Sequence, residues 1–215
     1  MFVCGVPKDS GEFSRLLCVE RRLFGDLSLS SAMADSIFRF RPEIYSAILG
    51  QGESVAAYTS AFPLKPEWAD AFIAGDVTEP DLTPGMLLGR HDCLEGARVY
   101  IGSVVIDSAC NPLMKSTLLA SLVAWRVRQM RAASVKRLSV MMTAVTKRGE
   151  RMIRSVGARQ LNDGANRKDG HAIYGREITP GFLGRVTAAM ERCLNSGLVQ
   201  MDFDFRPGVQ AVGCD

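Results

Sequence analysis

RVYIGSVVIDSACNPLMKSTLLASLVAWRVRQM, residues Arg98 to Met130, decides the fold. Its first ten residues, Arg98 to Asp107, are almost continuously apolar and rich in Val and Ile, as a central strand buried on both faces requires. Alternation along such a strand puts Tyr100 and Ser103 on opposite faces. Asn111 is a good helix N-cap, and Pro112 suits the first helical position. Leu119, Leu122, Val123, Val127 and Met130 then recur at helical spacing. A helix that starts just past a strand presents unpaired N–H groups and a positive dipole end, which suit phosphate. Lys115 adds a full charge in the first turn, and Cys110 at the helix N-terminus is a candidate reactive thiol.

On the C-terminal side, Arg137 to Ala144 reads as the next strand. Thr146 to Val156 is a short basic helix stopped by Gly157. His171 to Ile178 is a last strand, and Pro180 opens a final helix to about Leu194, followed by a loose tail. On the N-terminal side, Glu12 to Phe24 is an amphipathic helix with Phe13, Leu16, Leu17 and Leu23 inside and Glu20, Arg21 and Arg22 outside. Ser31 to Phe40 is a second helix, ended by Pro42. Ile44 to Leu49 and Glu53 to Phe62 flank Gly50-Gln51-Gly52 and read as a hairpin. Lys65 to Gly89, with Pro66, Pro80 and Pro84, reads as an irregular insertion with a short helix at Glu67 to Ile73. The strand–helix–strand unit implies a parallel pair joined by a right-handed crossover. The hairpin and last strand add antiparallel neighbours. The predicted fold is α/β, with a mixed, mostly antiparallel central sheet and helices on both faces.

The chain of 215 residues suits one domain, residues 1–179, with the insertion at 65–89 and a C-terminal helix and tail at 180–215. Lys115 to Arg159 holds eleven Lys or Arg against one acid, Glu150, while Lys65 to Arg98 holds seven acids against three bases. One region suits an anion and the other a cation. The six cysteines (4, 18, 93, 110, 193 and 214) form no C-x-x-C pair and His is scarce, so no metal site is expected. With no signal peptide at MFVCGVPKDSGEF, free thiols and a cytoplasmic location are expected. No apolar run is long enough to span a membrane. The basic stretch lacks interleaved aromatics apart from Trp125, which speaks against nucleic acid. No G-x-S-x-G is present, and His91 and His171 lack an acidic partner in sequence, which leaves a serine-hydrolase triad without support.

VVIDSACNPLMKSTLL, Val104 to Leu119, resembles the strand–loop–helix in which GNAT-superfamily N-acyltransferases hold the pyrophosphate of coenzyme A. The family loop Q/R-x-x-G-x-G/A falls on Cys110 to Lys115, without its glycines. A second family pattern, N-x-x-A-x-x-x-Y-x-x-x-G-F, falls on Thr146, Gly149, Ile153, Gly157 and Ala158. Ile153 stands where the family has its acidic Tyr. The resemblance implies acetyl-CoA or another acyl-CoA as co-substrate, bound by Val105, Ile106, Cys110, Asn111, Leu113, Met114, Lys115, Ser116 and Thr146. It implies direct attack by a primary amine, from a small molecule or a peptide, with backbone N–H near Val105 facing the oxyanion. Tyr174 is then the candidate general acid, and Asp107 the candidate proton acceptor. The insertion would wall the acceptor's entry, its acids Glu67, Asp70, Asp76, Glu79 and Asp81 attracting a cation. A homodimer is compatible with this reading. The absent glycines and Tyr keep open a catalytically degenerate domain that binds acyl-CoA or a protein partner, and a nucleic-acid-binding protein is the third reading.

Overall fold

A computed structural model describes residues 2–50, 54–194 and 199–201. Along the chain run β1 (Phe2–Gly5), α1 (Ser10–Phe24), α2 (Ser31–Phe40), β2 (Tyr45–Leu49), β3 (Val55–Leu64), α3 (Pro66–Ala74), β4 (Arg98–Ile106) and α4 (Pro112–Ala132). Then come β5 (Leu138–Thr143), α5 (Lys147–Ser155), β6 (Arg159–Asn162), β7 (Ile173–Ile178), α6 (Pro180–Leu194) and β8 (Val199–Met201). The strands form one sheet in the order β6-β7-β5-β4-β3-β2-β1-β8. Pairs β4–β5 and β1–β8 are parallel and the others antiparallel, so the sheet is mixed and mostly antiparallel.

Two faces bury the core. On the first, Phe13 and Leu16 of α1 and Ile37 of α2 pack with Tyr45, Phe62, Phe72 and Tyr100. On the second, Leu118, Leu122 and Trp125 of α4 cover Ile48 and Ala57, and Val127 and Leu183 cover Val99 and Leu138. The N-caps explain where the helices start: Asn111 Oδ1 accepts the Met114 N–H at 2.9 Å, and Ser30 and Asp9 serve α2 and α1 in the same way. Arg126, largely buried on α4, gives its guanidinium to the carbonyls of Glu43, Ile44 and Thr59 and so ties that helix across β2 and β3.

Several sequence expectations need correction. Strands β1, β6 and β8 were not foreseen: β6 (RQLN) is polar and exposed, and β1 and β8 are too short to show a period. β8 also gives regular structure to a tail expected to be loose, most of which lies outside the described residues. The hairpin turn at 51–53 lies outside them too. Pro63 does not end β3, which continues to Leu64. Its carbonyl accepts from Leu88 on the side that β2 has already left, so the missing N–H removes no ladder bond. Glu20, expected outside, is 5% exposed, whereas Leu23, expected inside, is 54% exposed. Helical spacing puts Glu20 in line with Phe13 and Leu16, and a hydroxyl partner makes its burial tolerable. Cys4, Cys18 and Cys110 carry free thiols, but Cys93 is disulfide-bonded, against the expectation of free thiols throughout. Among the described residues no helix is long and apolar enough to cross a membrane.

Candidate active site

The site begins with a fault in β4. The register pairs Thr59 with Val104 but Ala61 with Ile101, so Ser60 faces both Gly102 and Ser103. This is a β-bulge, and it inverts the pleat beyond it. Tyr100 and Ser103, expected on opposite faces, therefore both point to the α1 side. Ser60 Oγ fixes the bulge by accepting the Ser103 N–H at 2.9 Å. Gly102 is required there: a Cβ would come within 2.8 Å of Phe62 and 3.0 Å of Glu79 Oε2.

The bulge also re-aims the backbone. Before it, Ser139 N–H donates to Ala97 O, and odd-numbered residues of β4 face β5. After it, Asp107 N–H donates to Ala56 O, and the register of Tyr58 with Val105 turns Val105's N–H to β3 as well. Val104 and Ile106, one residue out of step, turn theirs toward β5. But β5 has gone. Its pairing with β4 stops at Ile101 with Met142, and the two parallel strands splay apart. Val104, in a central strand, is consequently 38% exposed. The N–H groups that face the splay are therefore those of Val104 and Ile106, not that of Val105.

Because β4 and β5 are parallel, the N-termini of α4 and α5 lie at the same edge of the sheet, flanking the splay. Here the structure gathers most of the predicted cofactor residues. Leu113 is exposed and Met114 partly buried on the first turn of α4. Lys115 Nζ donates to Ser108 O at 3.0 Å, and Ser116 Oγ to Pro112 O at 3.1 Å. Thr146 caps α5, its Oγ1 accepting the Gly149 N–H at 3.0 Å. The loop turns several of its N–H groups inward: Cys110 donates to Asp107 O, and Ala109 to Asp107 Oδ1. Asp107 is therefore a turn residue. An acyl-CoA fits the splay and its two N–H groups, whereas its diphosphate would replace the Asn111 side chain as partner of Met114 N–H.

On the α1 face, directly across the bulge, lies a cavity of about 200 Å³. Tyr100, Gly102 and Ser103 form its floor, with Glu79, Thr143 and His171 among its walls. Glu79 is 9% exposed and accepts the Tyr100 hydroxyl at 2.7 Å. Burial, then the nearby charge of Glu20, pushes its pKa up to about 8, against the pull of the Tyr100 hydrogen bond. Glu20 accepts the Ser103 hydroxyl at 2.7 Å and is itself raised by burial. Glu79 is held by its turn: Asp81 Oδ2 accepts both the N–H and the hydroxyl of Thr78, each at 2.9 Å, and Leu82 beyond is fully buried. Arg167, buried, pairs with Asp169 at 2.7 Å and donates to Phe72 O, locking the loop before β7 to α3. Burial works to raise Asp169, but bonds from Arg167 and the His171 N–H outweigh it and hold it low.

The predicted catalytic pair is not brought together. Tyr174 lies on β7 against α5, its hydroxyl donating to Glu150 at 2.7 Å and accepting from Arg154 at 3.1 Å. Neither it nor Asp107 lines the cavity. Of the insertion's acids only Glu79 does: Asp81 is spent on the turn, and Asp70 pairs with Arg98. By sequence, Glu79 is only one of five acids expected to attract a cation, and Glu20 is placed outside the apolar stripe of its helix. The spacing from Phe13 could have revealed Glu20, and T-x-x-D at Thr78 to Asp81 signals a held turn without saying which way Glu79 points. Among the described residues no cluster could hold a metal ion.

No protein-family model matches the sequence, and no curated protein matches it. Solved structures do match. An N-acyl amino acid synthase from uncultured soil microbes is 10% identical over 89% of this chain and 98% of that one, with a TM-score of 0.53. A CoA-dependent acyl-homoserine lactone synthase, solved with SAM and isopentyl-CoA, is 14% identical over 94% and 93%, at 0.51. A GNAT-family acetyltransferase from Staphylococcus aureus Mu50 is 6% identical over 83% and 100%, also at 0.51. At such identities the likeness is one of architecture: with its splayed parallel pair, the chain has a divergent GNAT-like fold.

Proposed function

We propose that the protein is an acyl-CoA-dependent N-acyltransferase acting on a cationic amine, with Glu79 as general base. The observation that carries this reading is the buried Glu79 carboxyl in a cavity that meets the β4–β5 splay at its bulge. The structural neighbours named above, an acetyltransferase and two acyl-transferring synthases, support the reaction class.

The thioester supplies an electrophilic carbonyl to the splay. An ammonium in the cavity gives a proton to Glu79, and its pairing with the carboxylate lowers the Glu79 pKa from its raised value. The nitrogen then bonds to the carbonyl carbon while the C–S bond breaks. Negative charge developing on the carbonyl oxygen faces the N–H groups of Val104 and Ile106. The nitrogen's second proton leaves with the thiolate as free thiol. Proximity across the bulge supplies the remaining rate enhancement. At the outer edge Lys115 and the two helix N-termini meet the diphosphate, and the exposed Lys147 and Arg148 add charge.

The test is isothermal titration with acetyl-CoA, followed by thiol release in the presence of polyamines, aminoglycosides and basic peptides. Lys115→Glu is expected to weaken acetyl-CoA binding by about tenfold or more, since a favourable charge becomes a repulsive one. Absence of binding by acetyl-CoA and by longer acyl-CoAs at millimolar concentration would overturn the proposal. Tight binding with no turnover on any amine would favour a binding domain, a reading supported by the inward-turned loop N–H groups.

A further inference from the structure

The opposite face of β4 holds a second cavity, of about 160 Å³. It lies between α4 and the paired halves of β4 and β5. Val99, Ile101, Leu138, Val140, Ala61 and Met130 give it apolar walls. Charged residues stand at one edge of it. Arg126 gives its guanidinium to three carbonyls, with its Nε unpartnered, and Arg41 donates to Leu88 O and Gly89 O and pairs with Glu43 at 3.4 Å. The rest of the lining, on β4, β5 and α4, is apolar, so the chemistry that fits it is an uncharged alkyl chain.

Its position says where that chain comes from. Ile101 is the last residue of β4 paired with β5, and its side chain forms the cavity wall. Val104 lies one bulged step further, exposed in the splay on the same face, about 7 Å along the strand. A chain leaving a carbonyl held at Val104 and Ile106 and running toward the crotch of the two strands arrives at this wall. The amine's cavity lies across the sheet, on the other face, so the two occupants do not compete. We infer that this cavity binds the hydrocarbon tail of the acyl donor, making the protein a transferase of medium-chain acyl groups rather than of acetyl. The inference rests on the acyltransfer reading above and specifies its donor. The volume corresponds to about five waters, room for about five carbons beyond those that span the step. At about 1.25 Å per carbon the step takes about five more, so a chain of roughly ten carbons fits.

The test is titration with acetyl-, butanoyl-, hexanoyl-, octanoyl- and dodecanoyl-CoA. Affinity should climb by roughly fourfold per methylene, past octanoyl to about ten carbons, and then level off before dodecanoyl. Ala61→Leu, which fills the cavity, should flatten the series while leaving acetyl-CoA binding unchanged. Ile101→Ala, which enlarges it, should move the plateau to a longer chain. Equal affinity for acetyl- and octanoyl-CoA overturns this inference and leaves the acyltransfer reading intact. Chain-length dependence that neither variant alters also overturns it, because the tail then lies elsewhere. Failure to bind an acyl-CoA of any length overturns both. The series on the unaltered protein is decisive even where a variant does not fold.

Discussion

Glu79→Gln should lower turnover by a factor on the order of 10²–10⁴ while leaving acyl-CoA affinity unchanged. The amide keeps the shape and can still accept the Tyr100 hydroxyl, so the cavity should survive. What it lacks is a site for the proton. In the unaltered protein kcat/KM should rise with pH through an apparent pKa near 8, because the free enzyme must hold Glu79 ionised to act as base. The variant should lose that limb and show a flat residual rate over the same range. A variant that retains full turnover, or a pH profile unchanged by the substitution, removes Glu79 from the chemistry. Glu79→Asp separates charge from reach: it keeps the proton site but withdraws it from the amine, so an intermediate rate is expected.

The same carboxyl should make the fold less stable in alkali. The folded pKa of Glu79 is about 8, raised from an ordinary value of 4.5. Between those values the native state keeps a proton that the unfolded chain has released. Stability must therefore fall as pH rises across the window, by about 1.4 kcal/mol per unit, and level off above pH 8. Glu20 is raised by burial too and adds in the same direction. From pH 6 to pH 8 the Glu79 contribution alone is roughly 2 kcal/mol, a drop in Tm on the order of 4–8 °C for a chain of this size. At the acid end the sign reverses. Asp9 and Glu95, held low chiefly by the N–H groups of Glu12 and Lys136, lose their contribution as pH falls through their folded pKa values. The maximum should lie near pH 4–5, where the two slopes cross. Thermal scans from pH 4 to 9.5 on the unaltered protein and Glu79→Gln check this: the variant should be the more stable of the two at pH 8.5. A Tm that rises steadily from pH 6 to 9 in the unaltered protein would contradict the burial of these carboxyls.

Local signals were sufficient for much of the fold. Continuous Val and Ile in Arg98 to Ile106, the Asn111-Pro112 start and the Gly157 stop each act within a few residues, and the elements they announce are present. Strands whose pairing alone stabilises them were not legible, as the exposed RQLN of β6 illustrates. The cofactor edge was visible because it is a strand–helix junction, contiguous in sequence. The amine side was not, since Glu20, Glu79, Ser103 and His171 come from four separate stretches that only tertiary packing unites. The largest error came from the bulge. Period-two reasoning assumes an unbroken pleat, and the one local hint that a residue is surplus is Gly102, a glycine in the middle of the strand.

That surplus residue sets selection for robustness against selection for use. Removing one residue at Gly102 or Ser103 would restore an uninterrupted ladder between β3 and β4, and a regular ladder is the more stable arrangement. The same deletion would leave the Val104 and Ile106 amides turned toward β5, since the register beyond the bulge is unchanged, but it would remove the bend and extra twist at the point where β4 parts from β5. A population screened only for heat resistance would be free to drift toward the shorter strand and would lose its chemistry on the way. One screened for turnover would have to retain the irregularity and recover its stability elsewhere, for instance through the Arg126 tie.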